Sequence, residues 1–93
     1  MVSGELTVEN RAGIHTRPAG QIVKTASRFR SDIFFIKDDM RVNGKSIMGI
    51  ITLGATYRTK LTCECTGEDE KDLFDAVKKL FLNRFEAESL RGG

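Results

Sequence analysis

Residues 10–29 read NRAGIHTRPAGQIVKTASRF and join a short loop to a helical pattern. Gly13 marks the loop, and the apolar residues after it recur at spacings of three and four. Such spacing predicts a helix from about Thr16 to Arg28 with one buried face. Pro18 fits the first turn, where the missing N–H costs nothing. The predicted buried face consists of Ala19, Ile22, Val23, Ala26 and Phe29.

Alternating patterns on both sides of this helix predict four strands. Leu6 and Val8 alternate with polar residues and indicate the first strand. A compact apolar run at 33–36 indicates the second strand, and a turn then leads to a short third strand at 40–42. Residues 61–66 alternate again and indicate a half-buried fourth strand.

Two further helices follow from capping residues and periodicity. Ser46 is a good N-cap for a short apolar helix. Asp69 and Glu70 open a last helix and place acids at its positive end. Its predicted inner face consists of Leu73, Ala76, Val77, Leu80 and Phe81.

The resulting order is strand, helix, strand, strand, helix, strand, helix. It predicts an α+β fold, an open-faced two-layer sandwich whose four-stranded antiparallel sheet carries three helices on one face. The whole chain, 1–93, is expected to form one domain, with 86–93 as a flexible tail.

Composition and charge narrow the classes of function. The chain has 93 residues with a net charge of +2, too small to predict direct nucleic-acid binding. Charge is unevenly distributed: residues 10–30 contain five basic residues and no acid, which suits an acidic protein surface or an anion. A signal pattern and an apolar run of about 20 residues are both absent, so we expect a cytoplasmic protein without membrane insertion.

Cys63 and Cys65 stand two apart in the fourth predicted strand and point to the same face. Residues that close in an extended chain do not easily form a disulfide, so buried free thiols are predicted. A Cys-x-Cys metal site would need further ligands, and the only histidine is distant in sequence. We therefore expect neither a metal nor another cofactor.

His15 stands where the loop turns into the first helix. The first N–H groups of a helix have no intrahelical partner, and with the helix dipole they form an anion site. Arg17 adds a guanidinium, and a neutral imidazole accepts a phosphoryl group near pH 7. Phosphoryl transfer needs mainly positioning and charge neutralisation. A helix-capping histidine beside a structural arginine remains the alternative.

Two segments resemble the HPr family, the histidine phosphocarriers of the bacterial sugar phosphotransferase system. NRAGIHTRPA at 10–19 is similar to that family's active-site segment, and VNGKSIMGI at 42–50 to its second helix and regulatory serine. A weaker similarity is TGEDE at 66–70. The likeness covers nearly the whole chain, and both strong motifs occur together.

The resemblance implies an open-faced sandwich and a carrier that is not itself an enzyme. His15 would accept phosphate on Nδ1 from Enzyme I, charged by phosphoenolpyruvate, and pass it to IIA proteins or domains. Arg17 would stabilise the transferring group, and the backbone N–H groups of Thr16 and Arg17 would cradle it. We expect this carrier to be a monomer.

The resemblance also implies regulation at Ser46, through an HPr kinase/phosphorylase and a transcriptional regulator as further partners. Ile47, Met48 and Ile51 are predicted to form an exposed apolar docking patch, since a short helix cannot bury every apolar residue. A helix overloaded with core residues is the alternative. Predicted to flank the patch are Thr16, Gly20 and Lys24.

Departures from the family pattern leave other functions open. Thr16 and Gly20 stand where alanine is common, and loop 54–59 lacks the glycines usually found further along it. A regulatory phosphorelay carrier, nitrogen-type or independent of transport, is the main alternative. Less favoured are a plain interaction module and a ubiquitin-like modifier, the latter indicated by the ending Arg91-Gly92-Gly93.

Overall fold

Four strands and three helices follow one another in the computed structural model, which describes residues 1–85. The predicted order of elements is confirmed. The proposed tail at 86–93, with its Arg91-Gly92-Gly93 ending, lies outside the described residues. The elements are β1 (Val2–Thr7), α1 (Thr16–Ala26), β2 (Asp32–Lys37), β3 (Met40–Asn43), α2 (Ile47–Thr52), β4 (Lys60–Thr66) and α3 (Glu70–Leu82).

The strands form one antiparallel sheet in the order β1-β4-β2-β3. The register sets Leu6 opposite Leu61 and Phe35 opposite Cys63. These four side chains are buried under the helices, because alternate residues of a strand point to the same face. The predicted open-faced α+β sandwich is confirmed. None of the helices within residues 1–85 is long and apolar enough to cross a membrane.

The first strand begins earlier than its sequence pattern indicates. β1 starts at Val2, whereas the alternation is clear only at Leu6 and Val8. Val8 lies just past the strand and bonds to the loop before β4: its N–H donates to the Thr59 carbonyl at 2.9 Å, and its carbonyl accepts from Arg58 N–H at 2.7 Å. Pairing with β4 thus extends the strand through residues whose own pattern is weak.

The first helix ends two residues before the predicted boundary at Arg28. Arg28 N–H bonds to the Thr25 carbonyl and Phe29 N–H to the Ala26 carbonyl, so the chain tightens into three-residue turns after Ala26. Phe29 therefore lies beyond the helix and packs half-buried against the core. Ala19, Ile22 and Ala26 are buried as predicted, and Val23 is half-buried. Pro18 and Gln21 are also buried, which was not predicted.

Both cysteines are buried free thiols, as predicted. Their sulfur atoms lie 4.0 Å apart on the core face of β4. The hydrogen bond with Cys65, followed by burial, raises the pKa of the Cys63 thiol. Cys63 therefore stays protonated as part of the core.

A hydrogen-bond network joins the turn after α1 to the start of α3. Asp69 is the N-cap residue of α3, but its carboxylate does not cap that helix. It accepts instead from the Ser31 hydroxyl, from Ser31 N–H at 2.9 Å and from Arg30 N–H at 3.1 Å. The Ser31 hydroxyl bond, then the Arg30 N–H bond, lowers the pKa of Asp69 from 3.8 to about 2.

This network predicts a loss of stability in acid. The pKa of Asp69 is lower in the folded chain, so the unfolded chain binds more protons as the pH falls from 3.8 towards 2. The stabilisation is complete above that range and disappears through it. We expect the urea midpoint to fall more steeply in this interval for the wild type than for Asp69→Asn. Glu70 titrates in both proteins, so any difference between them comes from Asp69. If the urea midpoints of the two proteins fell equally steeply with pH, the acid-dependent loss of stability would not come from Asp69.

Arg58 has an unfavourable backbone conformation in the loop before β4. Its φ is +72°, a value that favours glycine. We expect Arg58→Gly to raise the free energy of unfolding by roughly 0.5–1 kcal/mol, because relief of about 1–2 kcal/mol exceeds glycine's entropic cost. Urea denaturation checks this against Arg58→Ala, which removes the guanidinium but keeps the strain. A glycine variant no more stable than the alanine variant would refute the expectation.

Candidate functional site

His15 is the N-cap residue of α1, and its imidazole is exposed. The His15 carbonyl accepts the bond from Ala19 N–H at 3.0 Å, which starts the helical ladder. The side chain makes no capping hydrogen bond. His15 therefore occupies the N-cap position without capping the helix through its side chain, and its imidazole is exposed.

Hydrogen bonds from two loops hold the backbone in front of His15. Asn10 Nδ2 donates to the Gly13 carbonyl at 2.7 Å, and Ile14 N–H donates to the Ala55 carbonyl at 2.9 Å. Gly13 has φ +77°, and a Cβ there would lie 2.9 Å from the Ala55 oxygen. Glycine is needed at this position for both reasons. The loop therefore presents His15 from a constrained backbone.

An open depression of about 590 Å³ lies beside the imidazole. His15, Thr16 and Arg17 all line it, so the structure brings together the residues that the sequence singled out. Thr16 and Arg17 form the first turn of α1, where N–H groups point out of the helix end. The arrangement offers a nucleophilic nitrogen, a helix N-terminus and a guanidinium to one anion. Also lining it are Asn10, Ala12, Pro18, Gln21, Arg84 and Phe85.

Several of these lining residues were not predicted from the sequence. Gln21 is only 8% exposed, and its Nε2 atom and Asn10 Oδ1 are buried without a hydrogen-bond partner within residues 1–85. Arg84 and Phe85 have φ values of +54° and +55° and follow α3. Gln21 lies four residues after Arg17, which is the one sequence signal that placed it on this side of α1. Arg84 and Phe85 carried no such signal.

Three arginines lie on the elements around the site. Arg11 belongs to the loop before His15, and Arg17 and Arg84 line the depression. The ion pairs described between residues 1–85 lie elsewhere, at Met1–Glu70 and Arg41–Glu64. Over the same residues, no group of three or more His, Cys, Asp and Glu side chains is placed to hold a metal ion.

The predicted apolar patch on α2 is exposed at two of its three residues. Met48 is 72% and Ile47 39% exposed, whereas Ile51 is half-buried against the core. Ile50 and Leu53 fill the buried side, so the alternative of a wholly inward-facing helix is wrong.

The predicted flanking residues lie on α1, which contacts α2. Thr16 and Lys24 are exposed, and a Cβ added to Gly20 would meet nothing within 4 Å. Ser46 is the N-cap of α2 as predicted, its hydroxyl accepting Gly49 N–H at 3.1 Å. The docking and regulatory roles of these residues remain predictions.

Comparisons with known proteins find relatives over most of this chain. The family model described as "PTS HPr component phosphorylation site" matches residues 2–83. The chain is 46% identical over 88 residues to "Phosphocarrier protein HPr" of Treponema pallidum, covering 95% of this chain and 100% of that protein. It is 41% identical over 80 residues to "HPr-like protein Crh" of Bacillus subtilis, covering 86% and 91%.

Solved structures show the same fold. The crystal structure of HPr-C-His from Thermoanaerobacter tengcongensis superposes with a TM-score of 0.89 at 37% identity, covering 92% of this chain and 97% of that one. A family match over most of the chain, relatives above 40% identity and a shared fold converge on one assignment. The chain belongs to the HPr family of phosphocarrier proteins.

Proposed function

We propose that this chain accepts a phosphoryl group on Nδ1 of His15 from Enzyme I, charged by phosphoenolpyruvate, and passes it to IIA proteins or domains of sugar transport. The observation that carries the proposal is the exposed, non-capping imidazole at the N-terminus of α1. Arg17 and the first-turn N–H groups lie in the same depression. Membership of a phosphocarrier family supports a carrier that is a substrate and donor, not an enzyme in its own right.

Transfer requires a lone pair on Nδ1, so the proton of the neutral imidazole stays on Nε2. As the Nδ1–P bond forms, the bond between phosphorus and the donor breaks, and the donor retains that electron pair. Arg17 and the N–H groups of Thr16 and Arg17 would neutralise charge on the phosphoryl oxygens. Onward transfer reverses these steps with the acceptor as nucleophile. A shallow site suffices, because both partners must reach the phosphorus in line.

We assign partner docking to the surface of α1 and α2 that contains Thr16, Gly20, Lys24, Ile47, Met48 and Ile51. Its exposed apolar centre and basic rim suit a transient interface. Gly20 leaves open space above α1, which a partner side chain can enter. We expect the carrier to dock as a monomer, and sedimentation analysis checks this because some relatives were solved as dimers.

Ser46 is a candidate for regulation by phosphorylation. Its hydroxyl oxygen already accepts Gly49 N–H, and a phosphate on it can keep accepting that bond, so α2 need not unfold. The added negative charge beside the docking surface would weaken an acidic partner's approach. An HPr kinase/phosphorylase and a transcriptional regulator are the partners this role requires.

A regulatory phosphorelay is the second candidate function. Identity of 41% to the HPr-like protein Crh favours it, since a solved Crh is described as a catabolite repression protein. The two candidates differ in the acceptor: a sugar carrier passes its phosphate to a sugar-specific IIA domain, and a regulatory carrier does not.

Incubation with phosphoenolpyruvate and a panel of purified bacterial Enzyme I proteins tests the main proposal. We expect one phosphate per chain, labile in acid and stable in alkali, as a phosphorus–nitrogen bond is. Reactions without phosphoenolpyruvate or without Enzyme I serve as controls. Failure of every Enzyme I in the panel to phosphorylate the chain would refute the proposal.

Arg17→Ala should slow phosphoryl transfer to His15 by about 100-fold. Removing one preorganised hydrogen-bond donor to the transition state typically lowers the rate by that factor. Single-turnover transfer from phosphorylated Enzyme I measures it. Arg28→Ala, an exposed arginine beyond the other end of α1, is the matched control and should react at the wild-type rate. An Arg17→Ala protein as fast as this control would exclude Arg17 from the transferring group.

A further inference from the structure

Two arginines flank one tyrosine beside the loop that carries His15. The Arg11 guanidinium carbon lies 5.7 Å, and that of Arg58 5.5 Å, from the centre of the Tyr57 ring. All three side chains are exposed, Tyr57 by 40%. We call these residues the Arg11–Tyr57–Arg58 cluster.

Backbone contacts place the cluster next to the candidate site. Ile14 N–H donates to the Ala55 carbonyl, and a Cβ on Gly13 would lie 3.2 Å from Thr56 Cα. Arg11 itself belongs to the loop that leads to His15. The cluster therefore lies on the two loops that meet just before His15.

Arg58 occupies its position against a backbone preference. Its φ of +72° favours glycine, yet the chain places a long cation there. The conformation is maintained by the Arg58 N–H bond to the Val8 carbonyl at 2.7 Å and by the Thr56–Thr59 hydroxyl contact at 3.1 Å. A strained residue kept beside a reactive group motivates a functional hypothesis.

The charge of the cluster is not offset by an ion pair within the described residues. Two like charges share one aromatic ring, and no carboxylate within residues 1–85 forms an ion pair with Arg11 or Arg58. Carboxylates on an approaching protein would accept charge-assisted hydrogen bonds from these guanidiniums. Both guanidinium groups lie within cation–π range of the Tyr57 ring.

We propose that the Arg11–Tyr57–Arg58 cluster is a docking contact for carboxylates on the protein that exchanges phosphoryl groups with His15, in addition to the α1–α2 surface. This inference rests on the proposed function. The partner is acidic where it covers loops 10–14 and 55–58. The cluster acts on association, and the phosphoryl group itself remains with His15 and Arg17.

Steady-state transfer from the Enzyme I that phosphorylates the wild type tests this at several salt concentrations. For Arg11→Gln/Arg58→Gln we expect the KM for the carrier to rise roughly 10-fold at low salt, with kcat unchanged and a weaker salt dependence. Arg30→Gln/Lys71→Gln is the control with the same net charge, altered beyond the opposite end of α1. Arg58→Gly separates docking from folding, because it should raise KM while relieving backbone strain.

An unchanged KM in the Arg11→Gln/Arg58→Gln protein, or an equal rise in the control, overturns the inference and leaves the proposed function standing. A fall in kcat without a change in KM also overturns it, since the cluster would then act on the chemical step. If no Enzyme I phosphorylates the wild type, the proposed function fails, and this inference fails with it.

Discussion

Replacing His15 by alanine is expected to abolish phosphoryl uptake from Enzyme I while leaving the fold intact. His15 is the only histidine in the sequence, so no second imidazole can substitute for it. Its side chain is exposed and makes no capping hydrogen bond, and the free energy of unfolding should therefore change by less than about 0.5 kcal/mol. Acid-labile phosphate measures the loss, and urea denaturation measures the stability.

Ser46→Ala is the matched control for this experiment. It removes the N-cap bond of α2 and should cost about 1 kcal/mol of stability, yet it leaves the imidazole in place. We expect it to take up acid-labile phosphate as the wild type does. Acid-labile phosphate on His15→Ala in the same amount would place the acceptor elsewhere and refute the assignment of His15.

Of all the substitutions proposed above, Gly67→Ala should lower the free energy of unfolding the most. Gly67 has φ +148°, and a Cβ there would lie 2.5 Å from Ser31 Oγ and 2.7 Å from Ser31 Cα. The contact cannot be relieved by rotating a flexible side chain, because one of the atoms belongs to the backbone. It also disturbs the Ser31–Asp69 network at the start of α3. We expect a loss of about 3 kcal/mol or more, measured by urea denaturation.

Gly20→Ala is the opposite case and serves as its control. A Cβ on Gly20 meets nothing within 4 Å, and alanine is favoured over glycine inside a helix by about 0.5–1 kcal/mol. The variant should therefore be more stable than the wild type. A Gly67→Ala protein within about 0.5 kcal/mol of the wild type would show that the Ser31 turn moves aside at little cost.

The fold was predictable where apolar residues recur at the spacing that places them on one face of a strand or helix. Leu61, Cys63 and Cys65 alternate with polar residues, and all three are buried. The start of β1 was not predictable in this way. Gly4 lies opposite Cys63, and a Cβ on it would lie 2.7 Å from the Phe74 ring. Gly4 is needed because its backbone contacts α3, about 70 residues later in the sequence. A local sequence pattern does not reveal such a distant contact.

The sequence by itself determined the order of elements, the position of His15 and Arg17 at a helix start and the exposure of Ile47 and Met48, because each depends on neighbours within a few positions. Only the tertiary structure decided which distant residues meet His15. Arg84 and Phe85 line the site and have positive φ values, although neither is glycine. Arg58 also has a positive φ and lies near the Tyr57 ring, as Arg11 does. Such conformations are imposed by packing and long-range hydrogen bonds, and side-chain type alone does not predict them.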